Sequence, residues 1–173
     1  LRITVLPDPV RLVVEQKHEN LWHVILSDRE SGGYVLCDQS RKVRHYQNRD
    51  PKDYYFGLGD KSGPLNRHGR RFRILQLDAL GYDAELGDPL YKHVPFFMVR
   101  GPHGITTGLF YDSLAPMTAD FGCERSNYHG FYRYMEMEES GLDLYIITGP
   151  RIQDVTQRFA QLSGLPHLHP KWS

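Results

Sequence analysis

Cysteine is scarce in this chain. Of 173 residues only Cys37 and Cys123 carry thiols, and no Cys-x-x-Cys occurs. A thiolate zinc site is thereby excluded. The spacing identifies no disulfide, and two buried free thiols is the favoured reading. Net charge is also missing: 21 Lys and Arg face 21 Asp and Glu. Nucleic-acid and anionic-membrane binders rely on excess positive charge, so neither partner is expected. No long apolar run exists. The longest, Val94–Val99, contains Pro95, whereas a membrane helix needs roughly 20 such residues. No charged segment leads into an apolar one at the N-terminus, so no signal peptide is visible. A cytoplasmic compartment is favoured over secretion on that ground. No Gly-x-Ser-x-Gly elbow is present, and Gly57-Leu58-Gly59 lacks the third glycine of a dinucleotide fingerprint. Repeats and low-complexity segments are absent as well.

Aromatic residues are plentiful, with 11 Tyr, 8 Phe and 2 Trp, which argues against disorder. Short apolar runs separated by Pro, Asp, Asn and Gly read as strands. They fall at Leu1–Leu6, Val10–Glu15, Leu21–Leu26, Val43–Gln47, Tyr54–Phe56, Phe72–Leu77, Phe96–Val99, Thr106–Tyr111, Gly130–Met137 and Leu142–Thr148. Within Gly130–Met137, Phe131, Arg133 and Met135 alternate with Tyr132, Tyr134 and Glu136, as on a strand with one exposed face. Helical spacing occurs once, at Ile152, Val155, Phe159 and Leu162. Pro150 suits a helix start and Gly164 with Pro166 a stop, so a helix is expected over Arg151–Ser163. The pattern predicts an all-β antiparallel sandwich with one short C-terminal helix. That domain should occupy 1–164. The proline-punctuated stretch 165–173 reads as a linker, and the chain as a piece of a longer protein.

Candidate chemistry concentrates between Tyr54 and Phe97. Tyr54 to Asp60 combines rings, glycines and a carboxylate, which suits a sugar. The competing reading, favoured on these residues alone, makes Gly57 and Gly59 shapers of a strand end. The basic run Asn66–Arg73 reads as a solvated hairpin edge rather than a phosphate site. Asp78, Asp83 and Asp88, with Glu85, form an acidic loop that could hold calcium or an acid/base pair, but without EF-hand spacing. Leu80, Tyr82 and Leu86 in the same loop imply packing against something, such as a neighbouring domain. His167-Leu168-His169 lacks a third ligand, and neither metal nor cofactor is expected.

Several segments, in order, resemble the N-terminal β-sandwich domain of glycoside hydrolase family 31, the α-glucosidase and α-xylosidase family. They are Tyr55-Phe56-Gly57-Leu58-Gly59-Asp60 with Gly63-Pro64-Leu65, Asp78-Ala79, Asp88-Pro89-Leu90-Tyr91-Lys92-His93-Val94-Pro95-Phe96-Phe97 and Thr107-Gly108-Leu109-Phe110-Tyr111-Asp112. Leu142 to Pro150, Leu162 to Pro166, and Pro170-Lys171-Trp172 complete the series. Departures stand at Asp60, Leu75-Gln76 and Ser113, and leave the particular sugar open.

The resemblance implies a galactose-mutarotase-like sandwich that precedes a catalytic (β/α)₈ barrel. It implies a retaining mechanism with two aspartates, both in the barrel, so this chain would be a non-catalytic accessory domain. One of its loops would lean over the barrel. Asp78 matches the loop carboxylate that approaches the sugar, with Tyr82 and Asp83 as further wall residues. The expected partners are the barrel and an α-linked oligosaccharide or glycoside. Two other readings compete: a free-standing carbohydrate-binding sandwich, and an aldose-epimerase-like enzyme, which would need a paired His and carboxylate in a concave site.

Overall fold

Period-two burial organises most of the chain into strands, as in Arg71 out, Phe72 in, Arg73 out, Ile74 in. The computed structural model describes residues 1–165, 167, 170 and 171. In chain order the first strands are β1 (Arg2–Pro7), β2 (Val10–His18), β3 (Leu21–Ser27), β4 (Tyr34–Cys37), β5 (Lys42–Asn48) and β6 (Tyr54–Gly57). There follow β7 (Arg71–Ile74), β8 (Phe96–Arg100), β9 (Thr106–Tyr111), β10 (Met117–Asp120), β11 (Tyr132–Met137), β12 (Leu144–Gly149) and the helix α1 (Ile152–Ser163).

Three antiparallel sheets result. One is β1-β2-β3, one β4-β5-β11-β10-β7 and one β12-β9-β8-β6. The five- and four-stranded sheets supply most of the shared core. Phe72, Ile74, Met117, Ala119, Met135 and Met137 come from the first, and Tyr55, Phe97, Val99, Leu109 and Tyr111 from the second. Val14 and Leu26 of the three-stranded sheet close one end. That sheet joins β5 through a bridge between Asp28 and Gln47. This is the expected all-β sandwich.

Two strands, β4 and β10, were not legible in the sequence. The expectation that β11 has an exposed face is overturned, because five of its six residues are buried. The strand lies between β5 and β10. Arg133, Met135 and Met137 face inward. Tyr132 and Tyr134 cluster with Tyr46 on the outer face. Guanidinium groups cover those rings: Arg29 lies 3.8 Å from the Tyr46 centroid, and Arg44 4.8 Å from that of Tyr134. Cation–π contact of this kind lets polar residues shield an aromatic face. Phe131, expected inside the strand, lies before it and is exposed.

Helix α1 begins one residue later than expected, with Arg151 as its N-cap and Pro150 outside it. Asp154 accepts the Arg151 N–H, closing a capping box. The helix packs on the four-stranded sheet. Val155 is buried, and the Phe159 ring stacks on Phe96 with centroids 3.9 Å apart. The approach requires glycine at 108, where a Cβ would stand 2.7 Å from Val155 and 2.8 Å from Phe96. Leu162, expected on the buried face, is exposed.

Both cysteines are free, as expected, but exposed rather than buried. Cys37 ends the outermost strand of its sheet, and Cys123 sits in a turn held by the Asp120 carboxylate. The expected linker 165–173 and His167-Leu168-His169 fall largely outside the described residues. No helix among the described residues is long and apolar enough to cross a membrane.

Candidate functional site

The long connection from β7 to β8 carries the three expected site residues. It has no regular structure of its own, so its shape depends on side-chain anchors. Lys61, its side chain wholly buried, donates to Asp88 Oδ1 at 2.8 Å and to the Arg73 carbonyl. Asp88 Oδ2 also takes the Arg73 N–H. The N–H of Gly63 donates to the Ala84 carbonyl at 2.9 Å, and Arg70 donates to the Glu85 carbonyl at 3.1 Å. Tyr91 donates its hydroxyl proton to the Ala79 carbonyl at 3.0 Å. At the far end His93 Nε2 donates to the Ser113 carbonyl at 2.9 Å. A loop tied at this many points holds its shape without a strand or helix.

Within that frame the acidic residues separate by role. Asp83 Oδ1 accepts the N–H groups of Glu85 and Leu86, both at 2.8 Å, which makes it the head of a tight turn. Asp88 is the counter-ion of Lys61. Asp78 is exposed, and its carboxylate has no partner among the described residues. Tyr82 is also exposed, and Leu80 and Leu86 are 88% and 77% exposed. The structure therefore brings Asp78, Tyr82 and Asp83 onto one loop but assigns them different work. Asp83 shapes the turn, while Asp78 is left available to a ligand. Leu80, Tyr82 and Leu86 leave most of their surface to solvent, whereas Leu90 is buried. No cluster of metal-binding side chains occurs among the described residues.

The basic run Asn66–Arg73 is the solvated edge expected of it only in part: Arg71 and Arg73 are exposed on the edge strand β7, but the arginines before them turn inward. Arg67 is buried and donates to the carbonyls of Ser62, Pro64 and Lys61. Arg70 donates to Ser62 and lies 4.9 Å over the Phe72 ring. These guanidiniums fold the 58–64 segment, which in turn carries Lys61. The signal was the Arg67, Arg70 spacing beside carbonyl-rich glycine turns, which composition alone does not separate from a surface patch. The Tyr54–Asp60 segment follows the favoured reading. Tyr55 and Leu58 are core, and Gly57 turns with φ 117° where a Cβ would meet the Phe96 carbonyl at 2.7 Å.

One His–carboxylate pair escaped the sequence reading. His45 Nε2 lies 2.7 Å from Asp28 Oδ1, and its Nδ1 lies 3.0 Å from the Tyr111 hydroxyl. Burial alone would raise the Asp28 pKa, but hydrogen bonds from His45, the charge of His45, Tyr34 and the Leu12 N–H bring it below the usual value. Burial pushes the Tyr111 phenol up. The side chains of Asp28 and His45 have no exposed surface. A substrate cannot reach them, so they do not supply the concave His–carboxylate pair that an epimerase reading requires.

An antiparallel sandwich of this topology, with one short helix packed on it, defines a galactose-mutarotase-like domain. Residues 1–120 match the family described as the glycosyl hydrolase 31 N-terminal galactose mutarotase-like domain, and the chain belongs to that family. An α-glucosidase of Saccharolobus solfataricus is 32% identical over 141 residues, 82% of this chain and 20% of the relative. α-Glucosidase 2 of Bacillus thermoamyloliquefaciens is 30% identical over 166 residues, 95% of this chain and again 20% of the relative. Among solved structures, a dextranase of Flavobacterium johnsoniae complexed with isomaltotriose superposes with a TM-score of 0.79 at 29% identity, covering 94% of this chain and 18% of that one. The chain thus spans about a fifth of the length of these relatives.

Proposed function

We propose that this chain is the N-terminal accessory domain of a retaining α-glycosidase. Its 75–95 loop lies against a catalytic barrel and forms part of the wall of the sugar pocket there. The observation that carries this reading is the division of labour in the loop. Asp83 and Asp88 spend their carboxylates on the loop's own shape, and Asp78 spends none. Exposed Leu80, Tyr82 and Leu86 give the loop an apolar surface that a neighbouring domain would cover. The relatives named as α-glucosidases, and the dextranase complexed with isomaltotriose, support an α-glucan or α-glucoside as substrate.

In this reading Asp78 accepts a hydrogen bond from a sugar hydroxyl and positions the ring, while bond cleavage belongs to the barrel. A hydrogen bond to a charged group is worth about 1.5–3 kcal/mol. Asp78→Ala in the full-length enzyme should therefore lower kcat/KM about ten- to a hundredfold, since 1.4 kcal/mol is tenfold. Stability should move by no more than about 0.5 kcal/mol, as for other exposed positions free of caps and core. Unchanged kinetics would show that the loop does not reach the pocket. A free-standing sugar-binding module would instead show the loss as weakened binding by this chain alone.

A further inference from the structure

A second polar recess lies away from the 75–95 loop, between β3, the segment from Asn48 to Asp53, and the β8–β9 hairpin. Its volume is about 210 Å³, room for one sugar ring. Its floor contains Arg133, only 3% exposed. Arg133 Nε donates to Gln47 at 2.9 Å, but its nearest carboxylate oxygen, Asp53 Oδ2, is 3.8 Å from Nη1, beyond hydrogen-bonding range. Its guanidinium also interacts with the buried Tyr55 hydroxyl. Asp53 uses Oδ2 for the Asp50 N–H and the Tyr55 hydroxyl. Its Oδ1 points toward Gly101 on the recess wall, 3.6 Å from where a Cβ there would stand.

The rest of the wall adds hydrogen-bonding capacity on both sides. Asn48 gives its Nδ2 to Ser27 and the Asp28 carbonyl, which leaves its Oδ1 as an acceptor. His23 and His103 also line it and lie ring against ring, with centroids 4.5 Å apart. Apolar Val99, Pro102 and Ile105, with Val24 to Leu26 of β3, add an apolar side to the lining. Leaving the imidazoles aside, two guanidiniums and two carboxylates cancel, so the recess does not favour an anion. Paired donors and acceptors beside an apolar wall fit an uncharged ring bearing many hydroxyls.

We propose that this recess is a binding site for a single uncharged pyranose, independent of the sugar pocket assigned to the barrel. Asp53 Oδ1 and Asn48 Oδ1 accept its hydroxyl protons, Arg133 donates to its oxygens, and the His23–His103 pair forms part of the wall.

The test is a titration of the protein with methyl α-D-glucopyranoside, followed by amide NMR. Saturable shifts are expected at Asn48, Gly101 and Ile105, with a dissociation constant of about 1–10 mM, as suits one small ligand with few contacts. Gly101→Val should abolish them, because its side chain enters the recess where only Asp53 Oδ1 stands within 4 Å. His103→Ala, on an exposed hairpin, should weaken binding at least fivefold while leaving the spectrum otherwise unchanged. It keeps the test decisive if the valine variant fails to fold. Three results would overturn the proposal: no saturation, shifts confined to 78–88, or saturation of the same amides by inorganic phosphate but not by the glucoside.

Discussion

Lys61 illustrates how much a single residue can decide here. Its ammonium is sealed from solvent, and among the described residues Asp88 is its only carboxylate partner. Removing one partner of a buried pair leaves a stranded charge, which costs about 3–5 kcal/mol. Asp88→Ala should therefore lower the unfolding free energy by about that much, read from urea curves with an unchanged m-value. Lys61→Met combined with Asp88→Ala should recover most of the loss, because an apolar replacement of both partners removes the stranded charge. A single-variant cost below about 0.5 kcal/mol would mean that water reaches Lys61, and the account of the loop's anchoring would fail. Asp78, Asp83 and Asp88 look alike in the sequence, equally spaced and equally acidic. Their roles differ because distant chain segments, Lys61 and the turn amides, select two of them. No local pattern records that selection.

At the scale of elements, helix α1 is where the sequence pattern and the packing can be compared directly. Its spacing predicted the helix to within one residue, because the period is local and the caps are adjacent. The depth of each side chain was less legible. Val155 is buried and Leu162 is 49% exposed. Phe159 is intermediate, lying against Phe96 and, at 5.3 Å, Phe110. Phe159→Ala should destabilise by about 2–3 kcal/mol, less than the 3–5 kcal/mol of a fully enclosed ring. Leu162→Ala should change little. Equal costs for the two, measured by thermal unfolding, would contradict the helix orientation. The strands divide the same way. Most of the longer apolar runs were readable from their composition. The exposed-face reading of β11 failed because aromatic and arginine side chains on its outer surface, polar in sequence, build a second small cluster.

Across the whole molecule, the least legible feature is the one that spans all three sheets. Asp28 follows β3 and takes the Leu12 N–H at 2.7 Å, His45 stands on β5, and Tyr111 ends β9. The three residues are far apart in sequence and meet only after the sheets have stacked. Nine scattered histidines gave no reason to single out His45. Because Asp28 has its pKa lowered in the folded state, its contribution is complete above the ordinary carboxyl value of 3.8. It is lost as pH falls through the lower folded value. The protein should thus lose stability in acid below about pH 4, in part through this group. Asp28→Asn keeps the shape but removes the charge, and at pH 7 it should cost about 2–3 kcal/mol through weakened hydrogen bonds to His45 and Leu12. The gap between the two proteins should narrow steadily as pH drops from 4 toward 2, because acid neutralises the wild-type carboxylate too. A gap that stays constant over that range would show that the charge on Asp28 does not stabilise the junction of the three sheets.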